Sequence, residues 1–167
     1  MNKPWIAVSA AVLLASPGAY AAGVGEGDFE AGISVSLTTT EIEYAGTTQD
    51  QDFGLIEISG GKFFTDQLEA KVGLSATTTA DVTFGTLRLG ADYLFSNKAP
   101  GDVVPFAGAG FALGMFDTET DYLDLHGGIK YFFRERTSLE ARLGFQSPTD
   151  SAYDSITELL VGLNVYF

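Results

Sequence analysis

The strongest constraint in this chain is an apolar–polar alternation of period two that recurs eight times after Gly25. In TSLEARLGFQ (137–146), Leu139, Ala141, Leu143 and Phe145 share one face. Ser138, Glu140, Arg142, Gly144 and Gln146 share the other. A helix would scatter these residues around its axis, whereas a strand sorts them onto two faces. FEAGISVSL (29–37) splits the same way, as do LIEISGGKFF (55–64), LEAKVGLS (68–75), LRLGADYLF (87–95), PFAGAGFALGM (105–115), YLDLHGGIKYFF (122–133) and the run Leu159–Phe167.

The connections alternate in character. Thr65–Gln67, SNKAPGD and RERT are tight turns. TTTEIEYAGTTQDQD (38–52), ATTTADV, FDTETD and SPTDSAYD read as looser, acidic loops. Eight consecutive antiparallel strands with short and long ends predict an all-β, up-and-down barrel.

Alternation leaves open which face is outside. Three features choose the apolar one. Glycine sits on the polar face of every segment: Gly32, Gly61, Gly73, Gly90, Gly108 with Gly110, Gly128, Gly144 and Gly162. On a water-facing surface such a ring only weakens the strands, but inside a narrow barrel it makes room for long charged side chains. Phe29, Phe64, Tyr93, Phe95, Tyr131, Phe133 and Phe167 gather near the tight turns or the terminus, as an interfacial girdle does. The apolar faces run almost free of charge for roughly 9–11 residues, the length of a tilted transmembrane strand. Lys62 is the exception. Either it snorkels to the interface, or Gly60–Gly61 forms a bulge that shifts the phase.

The polar face is then the lumen. It carries Glu30, Glu57, Glu69, Asp92, Asp124, Glu140 and Glu158 against Lys71, Arg88, Lys130 and Arg142. An unpaired charge in so narrow a space is costly to desolvate, so pairing and a plugged interior are expected. A narrow path for cations is the alternative. His126, the one histidine, has lumen parity.

MNKPWIAVSAAVLLASPGAYA (1–21) has a lysine, an apolar run, a breaker and an Ala-x-Ala site, the layout of a secretory signal peptide. The barrel domain is therefore expected over 22–167, exported, without a lipoprotein anchor because no cysteine is present. The net charge of −13 argues against nucleic acid as a partner. With 46% apolar and 13% aromatic residues, disorder is not expected. No nucleotide motif or metal-ligand spacing occurs, and no cofactor is expected.

GGKFFTDQLEAKVGLSA, LRLGADYLF, VVPFAGAGFALG and GGIKYFFRERTSLEARLGF resemble the small outer-membrane β-barrels of Gram-negative bacteria, the group of outer membrane protein A-like, opacity-like and X-like barrels. The resemblance implies an eight-stranded transmembrane barrel in the outer membrane. Its expected partners are outer-membrane lipid, lipopolysaccharide and the barrel-assembly machinery. It does not imply one activity; a structural or surface-interaction role is expected for this chain, with a narrow channel or a lipid A-modifying enzyme as alternatives. The deacylases of this group place a serine two residues from their histidine, where this chain has Gly128, so no catalytic residue is assigned. Gly162, Val165 and Phe167 resemble the C-terminal assembly signal, although Leu160 replaces a polar residue and Val165 an aromatic one. None of the nine Lys and Arg residues falls in the acidic loops. Asp117, Glu119, Asp121, Asp150 and Asp154 are candidate ligands there for Ca²⁺ or Mg²⁺, bridging to lipopolysaccharide phosphates.

Overall fold

A computed structural model describes residues 23–44, 47–78, 83–96, 98–115, 121–150 and 155–167; the proposed leader lies outside them. The strands are β1 (Phe29–Tyr44), β2 (Thr47–Phe63), β3 (Leu68–Thr78), β4 (Thr83–Leu94), β5 (Val103–Met115), β6 (Tyr122–Arg134), β7 (Thr137–Pro148) and β8 (Ile156–Tyr166). Each pairs antiparallel with its neighbour in sequence, and β1 pairs with β8 to close the barrel. Closure satisfies the backbone within the sheet, which lipid requires.

The alternation read from sequence is the alternation of burial. On β7, Ser138, Glu140, Arg142 and Gln146 are buried, while Leu139, Leu143 and Phe145 are exposed. Exposure reaches 58% at Leu143 and 0% at Lys130, the inverse of a protein folded in water. So continuous an apolar exterior is stable only against lipid.

Glycine provides the room inside. A Cβ at Gly61 would collide with the Glu69 carboxylate, and one at Gly108 with both Asp92 and His126. At Lys62 the β1–β2 register runs unbroken, from Phe29↔Lys62 through Glu30↔Gly61 and Ala31↔Gly60. There is no bulge at Gly60–Gly61, and Lys62 stands on the exterior.

One expectation fails. The segment 38–52 is not a loop: β1 and β2 stay paired to Tyr44↔Thr47. The sequence there carries no sustained apolar alternation, so its Thr- and acid-rich residues read as loop. Pairing of β1 with β8 ends at Val35↔Val161, and that of β2 with β3 at Gly54↔Thr78. The hairpin therefore projects past its neighbours as a two-stranded ribbon.

Candidate functional site

The inward charges meet in two tiers. Toward the loop end, Arg88 grips Glu158 with both terminal nitrogens, Nη2 lying 2.8 Å from Oε2, while its Nε lies 3.1 Å from Glu57 Oε2. Arg142 Nη2 donates to the other Glu57 oxygen at 2.7 Å. Glu57 from β2 thus bridges arginines from β4 and β7.

Nearer the turn end, Lys71 Nζ lies 2.9 Å from Glu30, 3.5 Å from Asp92 and 3.6 Å from Glu140. Lys130 Nζ contacts Glu30, lies 3.2 Å from Glu69 and 3.6 Å from Glu140. Asn164 Nδ2 donates to Glu140 at 2.9 Å. The Lys130 and Glu30 side chains are wholly buried. In such a site the partners must supply what water no longer can, and removing one leaves an uncompensated charge.

His126 bridges two acids, with Nε2 2.7 Å from Asp92 and Nδ1 2.7 Å from Asp124. A neutral imidazole has one N–H, so two carboxylate contacts require a second proton within the Asp–His–Asp group. Neither ring nitrogen is free to take a proton from a nucleophile. Beside this group lies a cavity of about 30 Å³, lined by Glu57, Lys71, Arg88, Asp92, Asp124 and His126 among others. It has room for one or two waters, and Asp124, one of its lining residues, has an oxygen (Oδ1) without a protein hydrogen bond.

Below the tiers the lumen becomes apolar. Val24, Phe63, Leu94, Val104, Phe106, Phe132 and Tyr166 form one buried cluster. Phe132 and Tyr166 stack at 5.4 Å, and Tyr166 shares a hydrogen bond with Ser138 at 2.9 Å. Val24 arrives from the segment before β1, which is tied down by Gly27 N–H to Phe63 O and Glu26 N–H to Asp66 Oδ1. Lys98, in the β4–β5 turn, lays its ammonium 3.9 Å from the Phe63 ring centre and donates to the Asp66 carbonyl. Burial holds the Lys98 pKa below the ordinary lysine value.

Sequence reasoning missed this floor, although a signal was present. Phe63-Phe64, Leu94-Phe95, Phe132-Phe133 and Tyr166-Phe167 are apolar doublets at the same end of the four even-numbered strands. Adjacent residues on a strand point oppositely, so each doublet gives one side chain to the floor and one to the girdle. The first of each pair is buried and the second exposed.

At the closing strand, Gly162 faces inward against Ser34, where a Cβ would collide with the hydroxyl. Val165 lies opposite Ala31 and Thr137. Phe167 stacks on Phe29 at 6.3 Å, and the two exchange backbone hydrogen bonds of 2.9 and 3.0 Å.

Of the candidate cation ligands, Asp117, Glu119 and Asp154 lie outside the described residues. The Asp121 carbonyl accepts hydrogen bonds from the Thr149 amide and hydroxyl. Asp150 follows at the end of β7. Among the described residues no group of three or more His, Cys, Asp or Glu side chains is placed to hold a metal ion.

No protein-family model matches the chain, and no curated protein matches it either. Solved structures do. The N-terminal β-barrel domain of Pseudomonas aeruginosa OprF matches with a TM-score of 0.65 at 20% identity, covering 86% of this chain and 100% of that one. A transmembrane β-barrel of de novo design matches at 0.61 and 14% identity, covering 87% and 100%. Neisserial surface protein A matches at 0.59 and 15%, covering 86% and 99%. A designed barrel among the matches makes plain that the likeness concerns architecture. The chain has the fold of the small bacterial outer-membrane β-barrels.

Proposed function

We propose that this protein is a closed barrel of the Gram-negative outer membrane with a structural or surface-interaction role. The observation that carries the reading is the filled lumen: two tiers of ion pairs resting on an apolar floor. A solute path would have to break buried pairs and then cross the Phe63–Phe132–Tyr166 cluster. Short turns mark the floor as the periplasmic end. The β1–β2 ribbon and the acidic loops then face outward, presenting ladder edges and negative charge to whatever approaches the cell. Divalent cations between those loops and lipopolysaccharide phosphates are part of this reading. So are removal of residues 1–21 on export and recognition of Gly162, Val165 and Phe167 by the assembly machinery.

Planar-bilayer recording tests closure. The purified barrel is expected to show no discrete conductance steps, and steps in most insertions overturn the plug. The channel reading draws on one observation, the excess of lumen carboxylates over lumen cations, and cation-selective steps would favour it. Assembly is tested by deletion. Loss of Phe167 removes both the Phe29 stack and the last backbone pair of the closing strand. It is expected to lower the yield of folded barrel several-fold, whereas deleting Thr118 or Thr120 from the β5–β6 connection leaves it near normal. Equal yields would remove the assembly role.

A further inference from the structure

We propose that Lys62 and the two phenyl rings beside it form a binding site for the phosphodiester headgroup of an anionic phospholipid in the periplasmic leaflet. Apart from Arg134 at the last position of β6, Lys62 is the one exposed charge among the described strand side chains. It stands one residue from the end of β2, at headgroup level rather than mid-bilayer, where a lysine would cost ~2–4 kcal/mol. Among the described residues its ammonium forms no ion pair with an acid. It lies 5.2 Å from the Phe29 ring centre and 5.9 Å from that of Phe64.

That placement fits a ligand better than simple snorkelling does. A free lysine in an interface samples many rotamers, and ordering it costs entropy. Two aromatic faces hold this ammonium in one place while leaving its hydrogen-bond donors unused by the protein. Phe29 is itself held by its stack on Phe167, so one wall of the site is fixed by barrel closure. On the sides away from Phe29 and Phe64 the exterior neighbours of Lys62 are small: Ala70 lies opposite on β3, and Gly60 is the next outward position on β2. An acyl chain has space to run past them toward the bilayer centre. Charge selects the class of lipid. The site offers a cation and apolar walls, so a headgroup with net negative charge gains more than a zwitterionic one.

The inference rests on the barrel spanning a bilayer and not on whether its lumen conducts. The protein, purified from membranes in non-ionic detergent, is incubated with equal amounts of short-chain phosphatidylglycerol and phosphatidylcholine. Bound lipid is counted by native mass spectrometry. Phosphatidylglycerol is expected to be preferred, with the preference weakening as salt rises. Lys62→Gln is expected to reduce it about five-fold, the effect of one lysine at an anionic surface. Lys62→Arg retains it, and Phe64→Leu lowers it in part. Equal ratios in the native protein and Lys62→Gln overturn the site, as does the absence of any preference in the native protein. The gel shift of the unboiled, folded barrel reports folding for every variant, and bilayer insertion is scored separately by flotation with vesicles.

Discussion

The two ends of this barrel are built on opposite principles. At the turn end, side chains of fixed type fill the interior: Phe63, Phe132 and Tyr166 below, Lys130 among Glu30, Glu69 and Glu140 above. At the loop end, the β1–β2 ribbon runs on as a ladder past its pairing with the other described strands, with Glu41, Glu43, Asp50 and Asp52 in its sequence. One end is specified by what each side chain touches, the other by backbone pairing and a single sign of charge. Side-chain contacts therefore hold the turn end, and strand pairing holds the ribbon.

The widest expected gap between the ends is at Lys130. Replacing it with Met leaves Glu69 buried without its cation and Glu30 with Lys71 alone, a loss of roughly 3–5 kcal/mol. Urea unfolding in lipid vesicles, read from the gel shift of the folded barrel, measures it. Adding Glu30→Gln and Glu69→Gln to the same chain is expected to restore much of the loss, because no unpaired charge then remains. A loss below ~1 kcal/mol in the single variant would mean that water reaches the tier and that the interior is not dry.

A smaller effect separates the inside from the outside at one level of the barrel. A Cβ at Gly108 meets Asp92, His126 and, at 2.8 Å, the Ala91 carbonyl. At Gly60, on the lipid side, the nearest atom is 3.8 Å away. Gly108→Ala is expected to cost about 1–3 kcal/mol by overpacking, and Gly60→Ala to be close to neutral. Urea midpoints for the pair check this, and similar midpoints would show that the lumen yields where the geometry says it is full.

How much of this was legible follows from the same division. Glu140, Arg142 and Leu143 could be placed by parity alone, since a strand has two faces and only one tolerates charge in lipid. The ring of inward glycines gave the sense of the barrel, because only a crowded interior needs them. The partners of each charge were not legible. Arg88 reaches Glu158 and Arg142 reaches Glu57, contacts between strands distant in sequence that depend on barrel stagger. The floor was missed because the inward face was read from its charges and glycines alone, which left Phe63 and Phe132, both of inward parity, unassigned. The ribbon was missed because Thr- and Asp-rich sequence resembles loop wherever nothing apolar must be buried.

The smallest expected effect lies in that ribbon. Glu41 and Asp50 are register partners, like charges set directly opposite each other. Such a pair destabilises a ladder by a few tenths to ~1 kcal/mol. Glu41→Gln is therefore expected to slow amide exchange locally, at Ile42 and its partner Gln49, by up to about five-fold. The amides of Lys130 and Glu140 are expected to exchange as before, since the register carries the ribbon past the points where β1 pairs with β8 and β2 with β3. If exchange at those lumen positions slows as well, the two ends are coupled through β1 and β2. The projecting hairpin would then be part of what holds the interior shut.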